Sequence, residues 1–444
     1  MNAASLSIRD ERPVQPQSAC PGLSNIVDAL DGGICRVRLP QGRLTAAQAR
    51  AVAAAAQRFG NGAIEATNRA NLQIRGVRLD ARAALIDALQ SAGLGPPDGI
   101  PDHLRNVLVN PTFGIGRGEI VDVSPLAGSI PAALGGDGRF HALSPKFSIM
   151  LDGGGDIAVA DRDHDIWLSA TELGGKPMCA LGLASHPPVL ENDASALGAI
   201  PAGKACDAVV AIAGLLLESG SARMRHLLAA MPEREFLARL SSRLSFVPER
   251  VDGWRRTMPV TMGHIGVQKQ RQPDHVFVGA VPALGRLTPA DLERLAGLCE
   301  SLGDGTIRLT PWRSVFVPNV ARSRADQAVR ELESIGLVCA ADHPLASMVA
   351  CAGSPGCAAS NADTKTDGHA LTALLPAGGI RDIHLSGCAK SCASARAAEA
   401  TLVAVSPGRY DLFLRERLGQ DGFGRLVARD IAIKDAAAHL AKRR

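Results

Sequence analysis

The chain has 444 residues, enough for two to four domains with cores of their own. Its 46% hydrophobic and 21% charged content is that of a soluble protein, and a net charge of +4 with only 3% aromatics argues against a nucleic-acid partner. The longest uncharged apolar run, Ala208–Leu217, is too short to span a bilayer, so no membrane partner is expected.

Residues 1–21 are polar and lack the apolar core of a secretory signal, and they read as a flexible N-terminus of a cytoplasmic protein. In that compartment the ten cysteines are metal ligands or thiols rather than disulfides. A strand over Cys35–Leu39 precedes Gly42-Arg-Leu-Thr45, where Thr45 and Gln48 form a helix capping box. The helix stops at Gly60, and two strands follow, Ala63–Thr67 and Asn71–Val77. The whole block then recurs. Gly42–Val77 and Gly285–Val320 align over 36 residues without a gap, with 11 identities. In the second copy Thr288 and Asp291 form the capping box, and Pro289 suits the first helical position. Leu292, Leu295, Leu298 and Leu302 mark the face that packs on a sheet. Such a β-α-β-β block is half of a ferredoxin-like module, and two halves pair about a pseudo-two-fold axis.

Pro96–Pro101 and Pro318–Ser323 read as junctions. The expected fold is therefore α+β. Ferredoxin-like half-module 1 spans 22–95 and α/β lobe 1 spans 96–250. Half-module 2 spans 251–335 and α/β lobe 2 spans 336–444. Within lobe 1, Asp152-Gly-Gly-Gly-Asp156 suits either a close-approach loop or a hairpin turn after the preceding strand. Asp161-Arg-Asp-His-Asp165 suits either a metal site or a solvated charged turn. The stretch from Gly408 onward is helix-prone. No dinucleotide fingerprint is present: Gly114-Ile-Gly-Arg-Gly118 has the wrong spacing.

Lobe 2 carries the chemistry. Cys351-x5-Cys357 and Cys388-x3-Cys392 are two close thiol pairs set among small residues, which suits an iron–sulfur cluster held by four thiolates. Structural zinc pairs are commonly spaced two to four residues apart, so Cys351-x5-Cys357 falls outside that window. The remaining six cysteines lack ligand spacing and read as core or incidental thiols.

The repeat together with Ser386-Gly387-Cys388-x3-Cys392 and the following Glu399-Ala-Thr-Leu-Val403 resembles the nitrite/sulfite reductase family, over nearly the whole chain. The resemblance implies a 4Fe-4S cluster on Cys351, Cys357, Cys388 and Cys392, beside a reduced tetrapyrrole. It further implies a substrate face built from Arg69, Arg105 and Lys146. A fourth basic position, a Lys in sulfite reductases, is Ser148 here. Losing one cation from an oxyanion site costs on the order of 3 kcal/mol, which weakens the case for sulfite.

Lys146-Phe-Ser-Ile-Met-Leu-Asp-Gly-Gly-Gly-Asp156 is similar to the precorrin-3B synthase branch, in which the tetrapyrrole is the substrate. That branch implies oxidation of precorrin-3A by O2, giving a ring hydroxyl and a lactone in cobalamin synthesis, with electrons from a separate donor protein. Sirohaem belongs only to the alternative, a nitrite or sulfite reductase. O2 activation leaves room for a mononuclear non-haem iron, with His141, His164, His264 and His384 as ligand candidates. Arg75, Arg313 and Lys390 are weaker candidates for the site.

Overall fold

Each repeat starts its helix with the same two hydrogen bonds. In the computed structural model, which describes residues 20–442 apart from 98, 395, 418, 419 and 421, the Thr45 and Thr288 hydroxyls accept from the N–H groups of Gln48 and Asp291. Both of those side chains bond back to the cap N–H, closing two capping boxes. Replacing either threonine by alanine is expected to cost about 1 kcal/mol in urea unfolding, because an orphan helical N–H loses its acceptor. The expected flexible stretch 1–21 lies outside the described residues up to position 19.

In chain order, half-module 1 comprises β1 (Val27–Ala29), β2 (Gly32–Val37), β3 (Arg43–Thr45), α1 (Ala46–Phe59), β4 (Ile64–Ala66), β5 (Leu72–Val77) and α2 (Arg82–Ser91). Lobe 1 follows with β6 (Val107–Val109), α3 (Leu126–Gly136), β7 (Ile149–Asp152), β8 (His164–Leu173), β9 (Lys176–Ser185), β10 (Gly198–Pro201), α4 (Ala205–Glu218), α5 (Met224–Ala230) and α6 (Glu233–Ser241). Half-module 2 repeats the first as β11 (Gly266–Lys269), β12 (His275–Ala280), β13 (Arg286–Leu287), α7 (Pro289–Leu302), β14 (Thr306–Leu309), β15 (Val315–Ala321) and α8 (Ala325–Ser334). Lobe 2 holds β16 (Val349–Ala350), α9 (Thr364–Thr372), β17 (Ile383–Ser386), β18 (Ala400–Ser406), β19 (Arg409–Leu414), β20 (Arg425–Ala432) and α10 (Ile433–Ala441). The stretch beyond Gly408, expected to be helix-prone, is thus two strands before its final helix. Alternating burial along Arg409–Leu414 is the period-2 signal of a half-buried strand.

The half-modules exchange edge strands. One sheet runs β1-β2-β5-β4-β13 and the other β11-β12-β15-β14-β3. Leu287 pairs with Ile64, and Leu44 with Ile307, which are the same two positions of the repeat. The left-handed backbone positions repeat as well: Gln41 and Leu284, Gly42 and Gly285, Ala70 and Arg313 all have φ between 51° and 75°. A conformation that L-residues resist recurs because the same bend must be made twice. The shared core includes Leu44, Val52, Ile64, Leu287, Leu295 and Ile307.

The lobes share a topology too, with only a few scattered identities, such as Ile149/Ile383, Leu151/Leu385 and Gly153/Gly387, to announce it. Lobe 1 orders its sheet β10-β9-β8-β7-β6 and lobe 2 orders its sheet β16-β17-β18-β19-β20. In each, the first three strands in sequence run parallel and the last two antiparallel. The Asn110 N–H donates to Leu151 at 2.9 Å, and the Cys351 N–H to Leu385 at 3.2 Å. Leu151 and Leu385 each stand one residue before the end of β7 and β17. Asn110 therefore occupies the place of Cys351, and Gly153-Gly154 the place of Gly387-Cys388. Because β7 and β8 are parallel, Asp152–Asp156 is not a hairpin turn.

Candidate functional site

Parallel β16 and β17 end on the same edge of their sheet, so Cys351, which follows β16, meets the loop that follows β17. The Gly387 N–H donates to Cys351 Sγ at 3.2 Å. A Cβ at Gly387 would lie 1.8 Å from Ser360 Oγ, so only glycine brings this backbone so close. The Thr364 hydroxyl lies 3.5 Å from the same sulfur and donates to the Cys351 carbonyl at 3.0 Å. Asn361 N–H closes the cradle on the Gly387 carbonyl at 2.8 Å. The Cys392 thiol is pushed up by burial, then by the charges of Cys388, Cys351 and Cys357, with Lys390 opposing. All four cysteines thus share one electrostatic neighbourhood.

Among the described residues no three His, Cys, Asp or Glu groups converge on a point that would hold one ion. A 4Fe-4S cluster asks for something different, one thiolate on each of four irons, and hydrogen-bond donors aimed at the sulfurs. The cysteine loops fit that group. The mononuclear iron finds no ligand set among the described residues. His141 bonds the Gly135 carbonyl and His164 bonds the Arg162 carbonyl. His264 stacks on Trp312 with centroids 4.6 Å apart, and burial pushes it down to about 3. His384 is buried and pushed down to about 4, chiefly by burial and then by Arg313. Burial likewise pushes the thiols of Cys35, Cys179, Cys299 and Cys339 up to about 12, which leaves them protonated and poor ligands.

A second feature is a concentration of guanidinium groups. Arg69 lies in the bend between β4 and β5, pushed down to about 10 by burial and then by Arg36, Arg223 and Arg162, with Asp165 the opposing charge. Its Nη1 faces Asn106 Oδ1 at 3.4 Å, and Asn106 donates to the Phe147 carbonyl at 2.6 Å, next to Lys146. Arg36 is pushed to about 10 by burial and then by Arg38, and its Nε has no hydrogen-bond partner among the described residues. Lys146, Arg223, Arg225 and His226 line a cavity of about 390 Å³ together with Cys20, Ser144, Pro145 and Ala222. This gathering of Arg and Lys side chains favours an anion with several carboxylates.

Arg162 bridges the two repeats. Its Nη1 donates to the carbonyls of Asn68 at 3.2 Å and Pro311 at 3.0 Å, equivalent positions of the two repeats. The stretch Asp161–Asp165 is a clasp between lobes rather than a metal site. Arg396 of lobe 2 donates to Asp163 at 2.9 Å, while Asp165 takes Arg223 at 3.0 Å.

The predicted substrate face is brought together only in part. Arg69 and Lys146 approach through Asn106 and Arg223. Among the described residues Arg105 has no hydrogen bond linking it to either; its guanidinium donates to the Arg38 carbonyl at 2.8 Å and to Asp102 at 3.3 Å. The Arg38–Asp102 ion pair claims it for the junction between half-module and lobe. Ser148 is fully buried, and its N–H and hydroxyl lie 3.0 and 3.4 Å from Asp165 Oδ2. Arg223 and Asn106 were not singled out from sequence. Nothing separates Arg223 from the other arginines until the chain folds.

The profile of the nitrite/sulfite reductase ferredoxin-like half domain matches residues 29–92 and 268–335. That of the nitrite and sulphite reductase 4Fe-4S domain matches 101–247, the lobe without the four cysteines, whose topology lobe 2 repeats. A precorrin-3B synthase from Sinorhizobium sp is 31% identical over 400 residues, covering 89% of this chain and 82% of the relative. The chloroplastic ferredoxin–nitrite reductase of Zea mays is 29% identical over 431 residues, covering 87% and 73%. The structure of Mycobacterium tuberculosis NirA superimposes with a TM-score of 0.75 at 20% identity, covering 92% of this chain and 79% of that one, and so shares its fold. With both half domains and the lobe between them matched in order, the chain belongs to the nitrite/sulfite reductase family.

Proposed function

We propose that this protein is an oxidoreductase of the precorrin-3B synthase type, which takes an acidic reduced tetrapyrrole, precorrin-3A, as substrate. In the overall reaction one atom of O2 enters the ring, and the other leaves as water with two electrons and two protons. The observation that carries the reading is Ser148. Where a reductase of sulfite places a fourth cation, this chain has a buried hydroxyl facing Asp165. The remaining cations are spread over Arg36, Arg69, Arg223 and the Lys146 cavity, which suits the dispersed carboxylates of a macrocycle better than one small anion. The relative named a precorrin-3B synthase supports the same assignment.

Cys351, Cys357, Cys388 and Cys392 would hold the 4Fe-4S cluster, which supplies single electrons when bound. Arg69 and Lys146 orient the ring by its carboxylates, and Asn106 holds the Arg69 guanidinium in place. Ferredoxin-dependent relatives favour a separate electron-donor protein here too. Arg69→Ala is expected to weaken binding of a polycarboxylate porphyrin, uroporphyrin I, by about tenfold to a hundredfold, the worth of a charge-assisted hydrogen bond. Unchanged fluorescence titration would remove Arg69 from the substrate face.

The second reading is a sirohaem-dependent nitrite or sulfite reductase, favoured by the 29% identity to the maize nitrite reductase. Acid extraction of anaerobically purified protein decides between them. The synthase reading expects no extractable sirohaem. Stoichiometric sirohaem would fill the ring site and make nitrite or sulfite the substrate.

A further inference from the structure

Each half-module sends one arginine to one cysteine loop. Arg75, on β5, donates from Nη2 to the Gly356 carbonyl at 3.0 Å, next to Cys357. The fit is tight: a Cβ at Gly356 would lie 2.5 Å from that Nη2. Arg313, in the bend between β14 and β15, donates from Nη2 to the Ala393 carbonyl at 2.6 Å, next to Cys392. The two differ in how their charge is met. Arg75 is held by Asp31 at 2.8 Å and has Glu65 at 3.7 Å. Lys365, which follows the Thr364 that contacts Cys351, has Glu65 at 3.7 Å. Arg313 has no carboxylate within ion-pair distance among the described residues. It stands partly buried at a left-handed φ of 61°, a conformation unfavourable for any side chain and kept here because the repeat makes the same bend at Ala70.

A partly buried guanidinium without an ion-pair partner is costly. The attractive charge acting on it is that of Glu65, which already faces Arg75 and Lys365, while the Cys392 loop that it bonds would carry the negative charge of a cluster on four thiolates. We propose that Arg75 and Arg313 are positioning residues of the cysteine centre, one from each half-module, and that Arg313 is also the counter-charge of the cluster. This rests on the four cysteines being its ligands. Arg75, already neutralised by Asp31 and Glu65, fixes the Cys357 loop and adds little net charge. Arg313 favours the reduced cluster, whose extra electron it attracts.

The test is a potentiometric titration followed by electron paramagnetic resonance, with iron and sulfide counted in every sample. Arg313→Gln is expected to keep its iron and lower the equilibrium constant for cluster reduction about tenfold, which is about 59 mV more negative for a one-electron couple. Arg313→Lys retains the charge and should titrate near the wild type. Arg75→Gln and Gly356→Ala should instead lose iron faster to a chelator, with a smaller change of potential. An unchanged potential in fully loaded Arg313→Gln overturns the counter-charge. So does Arg313→Lys falling the full tenfold, which would make the effect one of geometry. If Arg313→Gln keeps its potential but loses uroporphyrin I affinity, the arginine serves the ring and the proposal falls. Wild-type protein without iron and sulfide would instead remove the cluster reading beneath it.

Discussion

Cys388→Ala is expected to abolish the cluster. Iron and acid-labile sulfide, about four of each per chain in the wild type, should fall to background along with the broad visible absorption. Cys388 follows the glycine whose N–H bonds Cys351 Sγ, so its loss opens the centre at the point where the two loops are joined. Cys299→Ala is the control. That thiol lies in the core of α7, pushed up to about 12, and its loss should leave iron and sulfide intact. Full iron and sulfide in Cys388→Ala would refute the ligand assignment.

The second large effect falls in lobe 1, at the position that mirrors the cysteine centre. Asp152 is 1% exposed and Arg256 is 5% exposed. Arg256 Nε lies 2.8 Å from Asp152 Oδ2, which also accepts from the Ser169 hydroxyl at 2.6 Å. Asn110, the counterpart of Cys351, donates to the same carboxylate at 3.3 Å. Arg256 also bonds the carbonyls of Gly155 and Thr257. An ion pair therefore fills the place where lobe 2 has its thiols. Arg256→Met leaves a buried carboxylate without its cation, and is expected to destabilise the protein by about 3–5 kcal/mol. Adding Asp152→Asn should restore part of this, since an amide can keep hydrogen bonds without the charge. Urea unfolding followed by tryptophan fluorescence reports on this lobe, because Trp167 and Trp254 stack 6.3 Å apart beside it. Equal losses in the single and double variants would mean that the pair carries no coupling.

The contrast between the repeats shows what a sequence can and cannot reveal. The half-modules were legible because their signals are local: a capping box within four residues, a helix face and a glycine stop. Their strand exchange was not, since Leu44–Ile307 and Leu287–Ile64 are contacts across more than two hundred residues. The lobes hid their kinship because one has thiols, Cys351 and Cys388, where the other has Asn110 and Gly154. Met150 and Trp167 pair in lobe 1 at the register where lobe 2 pairs His384 and Thr401, and the identities that remain, such as Leu151–Leu168 and Leu385–Leu402, are too few and too scattered along the chain to announce a repeat. The cysteines drew attention for the opposite reason, since each pair is close along the chain, and the charges of Cys351, Cys357 and Cys388 all act on Cys392. The bonding of Arg105 was not legible, because Asp102 and the Arg38 carbonyl meet its guanidinium only once half-module and lobe are packed together. Arg223 was invisible because its meeting with Asp165 and Arg69 is made by tertiary packing alone.

Oxidation of an acidic tetrapyrrole, the reaction proposed for this protein, is checked by mass spectrometry of precorrin-3A incubated with reduced holoenzyme under isotopically labelled O2. A synthase yields a product carrying one labelled oxygen atom per ring. Precorrin-3A returned unlabelled, from protein that contains sirohaem and consumes nitrite or sulfite, would contradict the proposal.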